Sequence, residues 1–133
     1  MLPAVHRVLY VHKIRDGGSF AAKFSSRGAE YILFIKLRTV VRGQPGIAPR
    51  IERLGFDQPV LIDSDPKRRP QNTDRVAYSE LSGPWVPVSW SEAAELLRSI
   101  SNLGGELNPI ESSWLQELVK VASNEGRDSP SAS

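Results

Sequence analysis

Residues 31–42, YILFIKLRTVVR, constrain the fold more strongly than any other stretch of the chain. The segment is rich in β-branched and aromatic residues, which favour the pleated, half-buried surface of a β-strand. Because side chains alternate along a strand, one face is expected to be core-like: Tyr31, Leu33, Ile35, Leu37 and Val41. The other face turns cationic halfway along: Ile32, Phe34, Lys36, Arg38 and Arg42. The pattern predicts one continuous strand with a positively charged second face.

Two further strands are expected upstream of this segment. Residues 6–15 alternate regularly and end at Asp16-Gly17-Gly18, a turn signal of the kind that tight hairpins use. Residues 19–24 form a second short alternating run, which a Ser-Ser-Arg-Gly turn follows. The simplest arrangement is a three-stranded antiparallel meander over residues 5–42.

The middle of the chain is less regular. Residues 47–58 fit neither the helical nor the strand period, whereas residues 59–62 indicate a short buried strand. Residues 63–73 form a polar loop that two prolines keep out of a sheet. Residues 76–81 and 85–88 indicate a hairpin, and prolines restrict its second strand to a sheet edge.

In the last third of the chain, apolar residues recur at the spacing of an α-helix. Ser89 and Glu92 form a capping box before an apolar stripe that ends at Gly104-Gly105. A second helix begins at Asn108-Pro109, with apolar positions at 3.6-residue spacing. We therefore predict an α+β fold: an N-terminal, mostly antiparallel meander with a C-terminal antiparallel helical pair packed on one face. Residues 1–126 are expected to form a single domain, and residues 127–133 a disordered tail.

Composition excludes several classes of function. The chain has 133 residues, 40% of them hydrophobic and 24% charged, as expected for one small globular domain. It has no cysteine, which excludes disulfides, thiolate metal sites and thiol catalysis. No apolar run approaches membrane-spanning length and no secretory signal is recognisable, so a cytoplasmic protein is the expectation. No cofactor motif is present, and none is expected.

Charge is distributed unevenly along the chain. Residues 1–77 contain 14 Lys and Arg against 7 Asp and Glu, a net charge of +7, whereas residues 78–133 contain 3 against 8, a net charge of −5. This asymmetry indicates either an anionic partner for the front of the chain or halves that neutralise each other when they pack.

The leading hypothesis is a non-enzymatic module that binds nucleic acid on the basic sheet face. Cations would hold phosphates while an aromatic ring stacks on a base. A second cationic element lies in the proline-flanked loop, where arginine forks suit phosphate oxygens. The predicted binding residues are Phe34, Lys36, Arg38, Arg42, Lys67, Arg68 and Arg69.

Two alternatives remain open. The first is a protein-interaction or regulatory protein, with the acidic C-terminal helices as a docking surface for a basic partner. The second is a magnesium-dependent, nuclease-like enzyme that would use Asp57, Asp63 and Asp65. Pro66 and the lack of a completing glutamate weigh against this enzyme. The two histidines, His6 and His12, lie too far apart on one strand to share a metal ion.

Overall fold

The computed structural model describes residues 2–14, 18–64, 81 and 83–127. Among these residues, seven strands precede two helices, which confirms the predicted α+β fold with a C-terminal helical pair. The strands are β1 (Arg7–Ile14), β2 (Ser19–Ser26), β3 (Ala29–Ile35), β4 (Leu37–Gln44), β5 (Ile47–Phe56), β6 (Val60–Ser64) and β7 (Trp85–Pro87). The helices are α1 (Trp90–Asn102) and α2 (Pro109–Arg127), joined through a 3-10 turn at Gly104–Glu106.

Five strands form the main sheet in the order β1-β2-β3-β6-β7, and each neighbouring pair is antiparallel. The predicted meander is therefore present as β1, β2 and β3. The proline-containing strand β7 lies at the sheet edge, as its sequence predicts, because proline cannot donate to a ladder hydrogen bond.

The prediction of one continuous strand over residues 31–42 is wrong. The strand breaks at Lys36, and β4 belongs to a different, two-stranded sheet. The amide of Leu37 donates to the hydroxyl of Ser19 at 3.0 Å instead of continuing the ladder. The carbonyl of Lys36 accepts from the amide of Asp57, which joins the base of the second sheet. These two hydrogen bonds turn the chain out of the main sheet.

Strands β4 and β5 form the second sheet, which we call the ribbon (residues 37–56). The turn at Pro45-Gly46 connects them, and Gly46 adopts a φ of 81°, which glycine tolerates without steric cost. Every residue from Val41 to Leu54 is exposed, so this part of the ribbon extends away from the core.

The helical pair packs on one face of the main sheet. Both helices contribute buried residues to the main core, with Leu97 and Ile100 from α1 and Leu118 from α2 meeting Leu33 and Ile35 of β3. The predicted core face of β3 is thus confirmed up to Ile35. The predicted capping box of Ser89 with Glu92 is formed, and Asn108 and Glu111 form a second one at the start of α2.

The opposite face of the main sheet is buried as well. Ala21, Ile32 and Ile62 form a second, smaller apolar cluster there. Beside it lies an ion pair between Lys23 and Glu30, 3.4 Å apart and only 3% and 6% exposed. Lys23 also lies over the ring of Tyr10, 5.9 Å from its centre. The second face of β3 is therefore a packed surface instead of an open cationic one.

Within the part of the chain that the structure describes, no helix is long and apolar enough to cross a membrane. Helix α2 extends to Arg127, and the rest of the predicted tail, residues 128–133, lies outside the described residues. The predicted strand over residues 76–81, except Leu81, and most of the predicted loop over residues 63–73 also lie outside them.

Candidate nucleic-acid interface

The ribbon brings together cations that are far apart in sequence. Its register places Arg42 directly opposite Arg50, and Thr39 opposite Arg53. Directly opposed residues of an antiparallel pair lie on the same face, with their Cβ atoms about 5 Å apart. The ribbon contains four arginines and one glutamate, a net charge of +3 over residues 37–56. It is a compact, exposed concentration of positive charge.

Arg42 and Arg50 form the centre of one face of the ribbon. Like charges directly opposite each other on a sheet are destabilising. Glu52 offsets part of this repulsion through an ion pair with the guanidinium of Arg42. A shallow concavity lined by Arg42, Arg50 and Glu52 lies between these side chains. Because the pair is exposed to water, we expect it to add little stability, so Arg42 stays available to a stronger anion.

Two further cations lie near the base of the ribbon. Arg38 pairs with the carboxylate of Asp57 at 3.0 Å, and both side chains are about half exposed. Lys36, at the junction of the two sheets, is exposed and makes no ion pair with any residue that the structure describes. Arg50 and Arg53 are likewise exposed and unpaired within the described ranges.

The other face of the ribbon is apolar at its centre. Val41 lies opposite Ile51, and the two residues are 67% and 64% exposed. The prediction that Val41 belongs to the core is therefore wrong. The physical reason is the break at Lys36, which moves every residue from Leu37 onward out of the main sheet.

The same break separates Phe34 from the predicted cations. Phe34 lies in the main sheet opposite Ala21, half-buried against the second apolar cluster. Arg38 and Arg42 lie in the ribbon, which contains no aromatic residue except Phe56. Phe56 packs on Phe20 in the main core, with ring centres 6.4 Å apart. The structure thus brings Lys36, Arg38 and Arg42 together on an exposed element, but without the expected aromatic ring.

The remaining predicted binding residues, Lys67, Arg68 and Arg69, lie outside the described residues. The structure therefore places four of the seven predicted residues, of which three lie in or next to the ribbon.

The acidic helices contact a different part of the basic front. Lys13 of β1 pairs with Glu117 at 2.9 Å, and Arg7 approaches Glu106 at 3.8 Å. The carboxylate of Glu111 accepts the amide of Val11 at 3.1 Å. Two cations of β1 are therefore paired with acidic residues of the C-terminal third, whereas the cations of the ribbon remain exposed.

Sequence reasoning missed Arg50 and Arg53, because residues 47–58 showed no clear period. The pairing of β4 with β5 explains the missing period, because its register shifts between Arg38 and Thr39 and again between Arg42 and Gln44. Such bulges interrupt the alternation of side chains on which strand prediction depends. The Pro45-Gly46 turn directly after the alternating run of β4 was the signal that could have revealed the hairpin.

The residues of the nuclease-like hypothesis are not assembled within the described part of the chain. Asp57 is engaged by Arg38, Asp63 lies in β6, and Asp65 lies outside the described residues. Among the described residues, no group of three or more His, Asp or Glu side chains could hold a metal ion. His6 accepts a hydrogen bond from the amide of Arg27, and His12 packs edge-on against Trp114.

Comparison with protein-family models, curated proteins and solved structures gave no match. Fold and site together define a small α+β domain with an exposed, arginine-bearing two-stranded ribbon.

Proposed function

We propose that this protein is a non-enzymatic binding module for nucleic acid and that the ribbon is its binding element. The observation that carries the proposal is the opposition of Arg42 and Arg50 on a solvent-exposed hairpin. Opposed arginines weaken the ribbon, and Glu52 offsets only part of their repulsion, so a further anion beside Arg50 would stabilise it. Phosphate is an anion that the planar guanidinium fork binds through two parallel hydrogen bonds.

Stability gives a second reason to expect a partner. A two-stranded hairpin without a packed face is only marginally stable in water. Here, residues 41–54 are exposed on both faces, and the folded domain supports the ribbon only at its base, through Leu37 and Phe56. An anionic partner would both neutralise the arginines and order the ribbon.

The test is a titration of labelled single- and double-stranded oligonucleotides at several salt concentrations. If three to five phosphates are neutralised, the plot of log affinity against log salt should have a slope of about −2.7 to −4.5 on a DNA duplex and about −2.1 to −3.5 on a single strand. Replacing Lys36, the exposed cation at the base of the ribbon, by alanine should reduce the steepness of that slope by about one. The matched control is Arg98→Ala, which removes an exposed cation from α1. Absence of binding at low salt would exclude the proposal.

Only the sequence supports a binding role for the loop cations, Lys67, Arg68 and Arg69. A triple replacement of Lys67, Arg68 and Arg69 by alanine, measured in the same titration, separates their contribution from that of the ribbon. A cytoplasmic location likewise remains an expectation of the sequence.

A second candidate function is protein interaction, specifically self-association through the ribbon. The opposed and exposed Val41 and Ile51 favour it, because adjacent apolar side chains on an exposed strand surface attract a second surface. The ribbon also pairs with no other described strand, so both of its outer edges are open to a second ribbon. The acidic helices support a protein partner less well, since Glu106, Glu111 and Glu117 are engaged by β1.

Light scattering distinguishes the two candidates. Self-association predicts a concentration-dependent dimer that Val41→Thr with Ile51→Thr abolishes. A chain that stays monomeric at all concentrations would exclude this second candidate and leave the nucleic-acid proposal intact.

A further inference from the structure

We infer that the partner is double-stranded DNA and that the ribbon enters its major groove with the Arg42–Arg50 face toward the base edges. This inference rests on the proposed function and specifies the form of nucleic acid that it requires. It departs from the base-stacking mode of binding that the sequence pattern favoured.

The absence of aromatic rings argues against a single strand. Proteins that bind single strands stack bases on aromatic side chains, and each stacked base contributes substantially to affinity. Residues 38–55 of the ribbon include no Phe, Tyr or Trp. Phe34 belongs to the main sheet, and Phe56 packs on Phe20. The ribbon has charge for a backbone but no platform for unpaired bases.

The dimensions of the ribbon fit one groove. Its strands lie about 4.8 Å apart, and the eight residues of β4 span about 27 Å at about 3.4 Å per residue. The major groove of B-form DNA is about 12 Å wide and admits a two-stranded ribbon, whereas the minor groove is about 6 Å wide. The major groove of an RNA duplex is too deep and narrow for side chains to read. Shape therefore selects B-form DNA.

The side chains on the Arg42–Arg50 face match the groove chemically. An arginine fork can bind the O6 and N7 atoms of guanine together, which is the commonest specific contact in the major groove. Glu52 pairs with Arg42 and offers an acceptor for the N4 amino group of cytosine. The Arg42–Glu52 ion pair thus presents a donor and an acceptor side by side, as a G·C pair requires.

The cations at the base of the ribbon complete the arrangement. Arg38 and Lys36 lie next to the domain body and outside the tip region that would occupy the groove. Phosphate contacts position a protein on a duplex, and base contacts provide its specificity. Arg38 and Lys36 are placed for phosphates flanking the groove, while Arg42 and Arg50 face its floor.

The experiment is an anisotropy competition against a labelled DNA duplex of mixed sequence. The competitors are the unlabelled duplex, each of its single strands, an RNA duplex of the same sequence, and a DNA duplex whose major groove is filled by glucosylated hydroxymethylcytosine. We expect the plain duplex to compete about tenfold or more better than the other three, because only it offers an open major groove. Equal or better competition by the single strands, the RNA duplex or the glucosylated duplex would overturn the inference.

Variants connect this result to the ribbon. Arg42→Ala and Arg50→Ala should each weaken duplex binding by about tenfold to a hundredfold if the arginine contacts a base edge. Arg98→Ala removes the same charge elsewhere and should change affinity little; an equal loss in this control would overturn the assignment. Failure of every nucleic acid to bind would instead exclude the proposed function, so the two failures are distinguishable. Circular dichroism of each variant verifies that the domain remains folded.

Discussion

The carboxylate of Glu111 in α2 accepts the backbone amide of Val11 in β1 at 3.1 Å, across 100 positions of the chain. The other oxygen of the same carboxylate accepts the amide of Asn108 and completes the capping box of α2. One side chain therefore starts a helix and covers the open edge of a sheet. Uncovered edge strands are sites at which another chain can add.

We predict that Glu111→Ala lowers the free energy of unfolding by about 1–3 kcal/mol, because a helix cap and an edge hydrogen bond are lost together. The variant should also aggregate more readily during refolding, since the edge of β1 is opened. Chemical denaturation and light scattering measure the two effects.

The control for this prediction is Glu117→Ala, six residues further along α2. Glu117 makes a solvent-accessible ion pair with Lys13 and accepts no hydrogen bond from a described strand amide, so its removal should cost no more than about 1 kcal/mol. Equal losses of unfolding free energy in the two variants would show that Glu111 acts only through its charge.

The contrast between α2 and the ribbon shows which features the sequence predicts. Both helices were predictable because their determinants are local: Ser89 with Glu92, and Asn108 with Glu111, lie three residues apart. The break at Lys36 was not, because it depends on a hydrogen bond from Leu37 to Ser19 across the fold. Propensity over residues 31–42 favours a strand on both sides of the break, and tertiary contacts decide where the strand divides.

The candidate site follows the same logic. Arg38 and Arg42 were identified because the alternation of β4 is visible in the sequence, although the face they share is that of the ribbon. Arg50 was missed because two register shifts interrupt the alternation of β5. Phe34 was assigned to the site on the assumption of one uninterrupted strand, and the break removed it.

The buried pair of Lys23 and Glu30 provides a second prediction. Replacing Lys23 alone by methionine leaves the Glu30 carboxylate buried without its cation, and we expect a loss of about 3–5 kcal/mol. Replacing both residues, with Lys23→Met and Glu30→Leu, removes both desolvated charges. The double variant should be more stable than the Lys23→Met single variant in urea denaturation. A double variant that is less stable than the single one would show that other contacts of Glu30 matter more than the charge it shares with Lys23.

The approach of β7 to β6 provides a third prediction. A methyl group added at Gly83 would overlap the carbonyl oxygen of Asp63, whose amide donates to the carbonyl of Pro84 at 2.8 Å. Since a backbone carbonyl cannot move aside cheaply, Gly83→Ala should destabilise the domain by about 1–3 kcal/mol. Gly105→Ala is the control, because a methyl group there meets nothing within 4 Å. Thermal denaturation of the two variants should give a lower melting temperature for Gly83→Ala only.

The capping box of α1 predicts that the stability of the folded protein depends on pH. The hydrogen bond that the Ser89 amide donates to the Glu92 carboxylate at 2.9 Å lowers the pKa of Glu92 below its ordinary value, and the Ser89 hydroxyl adds to the effect. Because the folded pKa lies below the unfolded one, folding favours the ionised form. The stabilising contribution is therefore complete above the ordinary pKa of a glutamate, about 4.3. This contribution is lost as the pH falls through the lower pKa that Glu92 has in the folded state.

We accordingly expect Glu92→Gln to melt at a lower temperature than the parent protein near neutral pH, with the difference shrinking as the pH falls below about 4. Glutamine keeps one acceptor for the Ser89 amide, so the variant removes the titration and the charge while preserving the cap. Glu95→Gln removes a charge from the same helix without touching the cap, and only the excess effect of Glu92→Gln over this control reports on the capping box. A difference in melting temperature that stays constant from neutral to acidic pH would mean that Glu92 stabilises α1 through hydrogen-bond geometry alone, and the depressed pKa would then have no consequence for folding.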